Sequence, residues 1–292
     1  MVFSLRNCFF CLAVSACTVL GSAPIEPILS NGTPLIQSGF KDVSGNDVLM
    51  KTYLREQPRL ENTAANYQQQ KIGFITIYIE GDGAAWIARQ YAPKNPTPLQ
   101  ALSAQLAMQD PSPLVAYLGR PCQYLDLELL KQCDVNLWTA GRFSQQAISL
   151  GNRAIDALLE KLASSNLRSL KVRLVGYSGG GAYAALLASQ RSDVVCLVTI
   201  AAPLDIDAWA RLQKIAPLSS SLNPASPTAR LPKIDQTHWH GAKDLVVPPE
   251  SVGLYPIQNA SATTKFAVLP LANHTEPWNK QWTSMMQASC LR

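Results

Sequence analysis

The residues able to carry chemistry are few enough to weigh one by one. Gly176-Tyr177-Ser178-Gly179-Gly180-Gly181 follows the apolar run 172–175 and leads into Ala182-Tyr183-Ala184-Ala185-Leu186-Leu187. Gly-x-Ser-x-Gly between a strand and a helix holds the serine on a sharp, strained turn with its hydroxyl exposed. That hydroxyl is a weak nucleophile until a base takes its proton, and the base needs an orienting carboxylate. Three histidines are available, His238, His240 and His274. His274 follows the run 266–269 and Asn273, in the last loop. Asp244 lies in Gly241-Ala-Lys-Asp244-Leu-Val-Val-Pro248-Pro249, just past the preceding strand. The expected trio is Ser178 as nucleophile, Asp244 as orienting acid and His274 as base. Asp205 and Asp207, beyond the run ending at Ile200, are rival acids. His238 and His240 precede the proposed acid and read as core or wall residues. The first amide of the helix after the serine, Gly179, is one expected donor to a developing oxyanion.

The chain order Ser178, Asp244, His274, with the G-x-x-D-x-x-V-P-P turn, resembles the α/β-hydrolase superfamily over nearly the whole chain beyond its leader. A narrower likeness rests on Glu80-Gly81-Asp82-Gly83, Arg120-Pro-Cys122-Gln-Tyr, Trp138, Gly141-Arg142-Phe143-Ser, the glycine-rich elbow and Asn273-His274-Thr-Glu-Pro-Trp. This series is similar to a group of exported bacterial α/β hydrolases. The resemblance implies the same trio. It also implies a second oxyanion donor in the loop after the run 72–79, the amide of Asp82, with Gly83 as runner-up. Many esterases carry a His-Gly pair there, so Glu80 is a departure. Two acids beside a developing oxyanion are unfavourable unless they point away or are neutralised. Arg120 follows the run 115–118, and it or Arg142 is expected to pair with Glu80 or Asp82 and fix that loop. The competing expectation is a solvated surface arginine.

These residues need elements to position them. Near-continuous apolar runs at 72–79, 115–118, 172–175, 194–200 and 266–269 alternate with helical patterns at 99–108, 145–162, 182–189 and 208–215. The pattern predicts an α/β fold with a mostly parallel central sheet covered by helices on both faces. Ligands in such sheets bind beyond the carboxyl ends of the strands. The interval from 201 to 233, 33 residues long, holds one short helix and a Pro- and Ser-rich stretch, so no large cap domain is expected. Trp86 and Trp239 are candidates for an aromatic wall beside the site, or for core.

The amino terminus reads as a targeting segment. Arg6 precedes the apolar stretch 8–17, which is shorter than the roughly 20 residues a membrane span needs. Residues 1–16 are therefore expected as a signal peptide, 17–34 as a tether and 35–292 as the α/β domain. Val14-Ser15-Ala16-Cys17 matches a lipobox, which would make Cys17 the lipidated residue of an anchor facing the periplasm; plain secretion is the alternative. Cys122 and Cys133 bracket a short polar loop and are candidates for a local disulfide in an oxidising compartment. Cys196, inside an apolar run, is expected as a buried thiol; Cys290 is unassigned. Beyond Cys17 no Cys-x-x-Cys pair occurs, so no metal is expected. A net charge of +5, from 25 basic and 20 acidic residues with no basic run, argues against nucleic acid.

The sequence thus predicts a serine hydrolase of carboxylic esters, acting on a small-molecule or lipid-like ester without a cofactor. Acyl transfer or peptide cleavage could run on the same trio. A membrane-tethered binding protein on this fold is the alternative from another class.

Overall fold

The computed structural model describes residues 26–45, 49–57, 73–84, 91–164 and 169–291. The expected signal peptide, Cys17 and Trp86 lie outside these residues. Eight strands form one sheet in the order β1-β2-β4-β3-β5-β6-β7-β8. They are β1 (Lys41–Asp42), β2 (Thr52–Glu56), β3 (Phe74–Ile79), β4 (Leu114–Leu118), β5 (Lys171–Tyr177), β6 (Val194–Ile200), β7 (Asp235–Gly241) and β8 (Thr264–Leu269). The pairs β1–β2 and β2–β4 are antiparallel, and every other pairing is parallel.

Side-chain alternation sends each central strand into two cores. Ile75, Ile77 and Ile79 of β3 join Ala116 and Leu174 under α3 (Gln145–Ser164) and α4 (Gly179–Gln190). Tyr78, Tyr117, Val175 and Val198 point the other way, toward α1 (Leu102–Gln109) and the C-terminal helix Trp278–Ala288. α4 is buried nearly all round, which its run of Gly, Ala and Leu permits. Two short helices, α2 (Leu127–Leu130) and α5 (Ile206–Leu212), then α6 (Tyr255–Asn259), fill the connections; the C-terminal helix is α7. Between β6 and β7 lie α5 and the short turn Pro227–Ala229, with no further domain.

Two expectations need correcting. The last part of the expected tether docks on the domain: Leu29 is buried with Leu35, and Ile28 bridges Pro34. Burial of an apolar side chain favours the docked chain over an extended one. Cys196 is no free thiol but forms a disulfide with Cys290, their Cα atoms 5.8 Å apart. Alternation along β6 turns Cys196 onto the face covered by α7, whose end delivers Cys290. Cys122 and Cys133 form a second disulfide, Cα to Cα 6.2 Å.

Candidate active site

Ser178 stands between β5 and α4 with φ 52° and ψ −128°. A non-glycine residue reaches that left-handed region only when its surroundings hold it there. The Ser178 amide donates to the Ile200 carbonyl at 2.8 Å, and the Gly181 amide donates to the Ser178 carbonyl at 2.9 Å. A side chain on Gly180 would overlap the Glu80 carbonyl, so the helix end and the β3 loop meet only because no Cβ is present.

His274 Nε2 lies 3.0 Å from Ser178 Oγ, and its Nδ1 lies 2.9 Å from Asp244 Oδ2. The other Asp244 oxygen accepts from the Val246 and Val247 amides at 2.9 and 2.8 Å, which orients the carboxylate from its own turn. The imidazole loop is held by its backbone. Tyr177 Oη and Trp278 Nε1 each donate to the His274 carbonyl at 3.0 Å. Folding thus brings the three residues singled out in the sequence into one hydrogen-bonded chain.

The rival groups sit elsewhere. Asp205 caps α5 and accepts from the Leu254 amide and the Asn223 side chain, interactions that hold its carboxyl below the usual range against the opposing effect of burial. His238 is bonded to Thr199 and Gln236 in the core, where burial pushes it down to about 3. His240 is also buried, without a hydrogen-bond partner among the described residues, and burial pushes it down to about 4.

The β3 loop rests on a fixed base. Glu80 is buried; its carboxyl accepts from the Gly81 amide at 2.9 Å and lies 3.0 Å from the Tyr117 hydroxyl. Desolvation outweighs those bonds and pushes Glu80 up to about 7. The next acid, Asp82, lies against Arg120 Nη1 at 2.9 Å and Arg142 Nε at 3.1 Å. Both arginines, though not surface residues, therefore pair with Asp82 and neither with Glu80. Gln123, quoted above within Arg120-Pro-Cys122-Gln-Tyr but given no role there, donates to the Gly81 carbonyl at 2.9 Å and accepts from the Arg120 amide at 3.0 Å. A Cβ on Gly179 would overlap the Asp82 carboxylate, so that helix end must be bare. As the first residue of α4, Gly179 has no intrahelical acceptor for its amide. Among the described residues the Asp82 amide also meets no acceptor.

A cavity of about 540 Å³ opens over this relay, lined by Ser178, His274, Asp82, Gly83, Arg142 and Trp209 among others. Glu80 also lines it, whereas Arg120 does not. Trp239, expected as a possible wall, lines no part of it, because strand alternation turns it onto the face packed under α7. The aromatic wall is Trp209 of α5, whose Nε1 donates to the Val246 carbonyl at 2.8 Å. Its position just past the carboxyl end of β6 was the available signal. Among the described residues no cluster of side chains suited to a metal ion occurs.

No protein-family model and no curated protein matches the chain. Solved structures do resemble it. An esterase of Pyrococcus furiosus aligns over 92% of this chain and 98% of its own, at 13% identity and a TM-score of 0.51. A 2,6-dihydroxy-pseudo-oxynicotine hydrolase aligns over 86% of this chain and 68% of its own, at 14% identity and a TM-score of 0.51. A puromycin-hydrolyzing peptidase of Mycobacterium tuberculosis aligns over 85% of this chain and 37% of its own, at 10% identity and a TM-score of 0.56. At such identities the likeness is one of architecture, and with the strand order and the elbow after β5 it shows that this chain has the α/β-hydrolase fold.

Proposed function

We propose that the protein is a serine hydrolase that cleaves carboxylic esters through an acyl-enzyme. The observation that carries this reading is the continuous relay from Ser178 Oγ through His274 to Asp244, at 3.0 and 2.9 Å, with Ser178 and His274 lining a cavity. Ser178 Oγ attacks the ester carbonyl carbon while His274 Nε2 takes its proton. Asp244 holds the tautomer that leaves Nε2 free to accept and stabilises the imidazolium that forms. The amides of Gly179 and Asp82 donate to the tetrahedral oxyanion, a contribution usually large in acyl transfer. The imidazolium then protonates the departing alcohol. Water, deprotonated by the same imidazole, attacks the acyl-serine and restores the enzyme.

A reporter fluorophosphonate tests this directly. Ser178 should carry the adduct in mass spectrometry, and Ser178→Ala should abolish both labelling and ester turnover. A folded protein that labels nowhere would overturn the reading in favour of a binding protein.

We also propose that the protein works outside the cytoplasm, tethered through Cys17. Two disulfides among the described residues suit an oxidising compartment. Cys17→Ser should move the protein from the membrane to the soluble fraction; an unchanged distribution would sink the lipid anchor.

A further inference from the structure

Two guanidinium groups meet one carboxylate beside the catalytic cavity, and they are not used alike. Arg120 is committed to structure. Its Nη1 donates to Asp82 Oδ1 at 2.9 Å and its Nη2 to the Arg142 carbonyl at 2.7 Å. Its plane lies over the rings of Tyr183 and Phe143, at 4.3 and 5.0 Å from their centroids. Arg142 is equally buried, at 2% exposure, but less satisfied. Its Nε, sealed from solvent, lies 3.1 Å from Asp82 Oδ2 without hydrogen-bond alignment and meets no hydrogen-bond acceptor among the described residues. Arg142, unlike Arg120, forms part of the cavity wall, with the Trp209 ring centroid 5.6 Å from its guanidinium carbon.

The local charges do not cancel. Asp82 balances one arginine. Glu80, two residues before Asp82, is turned to the Gly81 amide and Tyr117, and burial favours its neutral form. A buried cation with incomplete pairing is costly. A ligand carboxylate would supply the missing acceptors, and the planar fork of arginine matches it in two parallel hydrogen bonds. Trp209, Ile215, Val246 and Val247 give the cavity an apolar stretch of wall that suits a short methylene chain.

We propose that Arg142 binds a carboxylate on the substrate, so that the preferred ester is a half-ester of a short dicarboxylic acid and not an ester of a neutral fatty acid. The proposal rests on the serine-hydrolase reading, and the experiment separates the two. Monoethyl glutarate and ethyl pentanoate have acyl groups of equal length and the same leaving alcohol, so their rates isolate the carboxylate. Wild type should favour the glutarate ester by about tenfold or more in kcat/KM, chiefly through KM. Arg142→Met should bring that ratio near one, and Arg142→Lys should leave an intermediate ratio. Because the quantity read is a ratio, any general loss caused by a displaced Asp82 cancels.

A wild-type ratio near or below one, or a ratio unchanged in Arg142→Met, overturns the proposal. Should Arg142→Met fail to fold, the wild-type and Arg142→Lys ratios decide it. Calorimetric titration of glutarate into Ser178→Ala reads the anion site without chemistry. Binding there that is lost in Ser178→Ala/Arg142→Met supports the site even if fluorophosphonate fails to label Ser178. Labelling without any glutarate preference leaves the hydrolase reading standing and removes the anion site.

Discussion

Asp244 and Arg120 illustrate two ways a side chain can serve the proposed chemistry. Asp244 touches the base itself, and its second oxygen is fixed by two amides of its own turn. Asp244→Asn keeps the shape but offers an amide donor to Nδ1, favouring the wrong tautomer. Ester turnover should fall by about 10,000-fold with the fold intact, as steady-state kinetics and circular dichroism would report. Arg120 touches no reacting atom; it ties Asp82, and so the β3 loop, to the Arg142 backbone. Arg120→Met should lower kcat by about 100-fold, the order seen when one oxyanion donor is misplaced, with a smaller change in KM. Unchanged turnover would mean that the loop holds its amide in place without the arginine.

At the scale of elements, the period-two division of β3, β4, β5 and β6 between two cores is what fixes the elbow. Ser178 follows a strand whose neighbours on both sides are parallel and buried, so its turn cannot relax without displacing α4. The helix after the last histidine, α7, does more than cover the sheet. Trp278 at its first position bonds the His274 carbonyl, and its far end is joined to β6 through Cys196–Cys290. That bridge closes a loop of sequence separation 94. Replacing both cysteines with alanine should cost about 2–5 kcal/mol, read from urea unfolding under non-reducing conditions. A loss near zero would show that packing of α7 alone secures this end.

At the scale of the whole molecule, two buried neutral histidines make stability depend on pH. His238 lies among Thr199, Gln236, Tyr255 and Phe266, while Asp244 acts electrostatically on His240. Burial depresses them to about 3 and about 4 from the ordinary 6.5. In that window the unfolded chain binds more protons than the folded one, so stability rises with pH. The contribution is fully present above about 6.5 and is lost as pH falls toward the folded values. The urea midpoint of wild type should therefore drop between pH 6.5 and 4.5. His238→Gln should flatten that slope while lowering stability at neutral pH, because Gln never takes up the proton.

The sequence by itself determined the chemistry that is local. A strand ending in Gly-x-Ser-x-Gly must turn sharply, since backbone sterics act between neighbouring residues, and the alternation of apolar runs and helices leaves little choice but an α/β sheet. Asp244 and His274 were legible because each lies just past a strand end, where such sheets gather their ligands. The strands β1 and β2 were not, because short edge strands carrying Lys41, Asp42, Arg55 and Glu56 lack the apolar run that marks a buried one. Tertiary structure alone decided that both arginines share Asp82, that Trp209 and not Trp239 walls the cavity, and that Cys196 finds Cys290. Those outcomes depend on distances between residues far apart in the chain, set by the twist and stacking of the whole sheet and not by any local pattern.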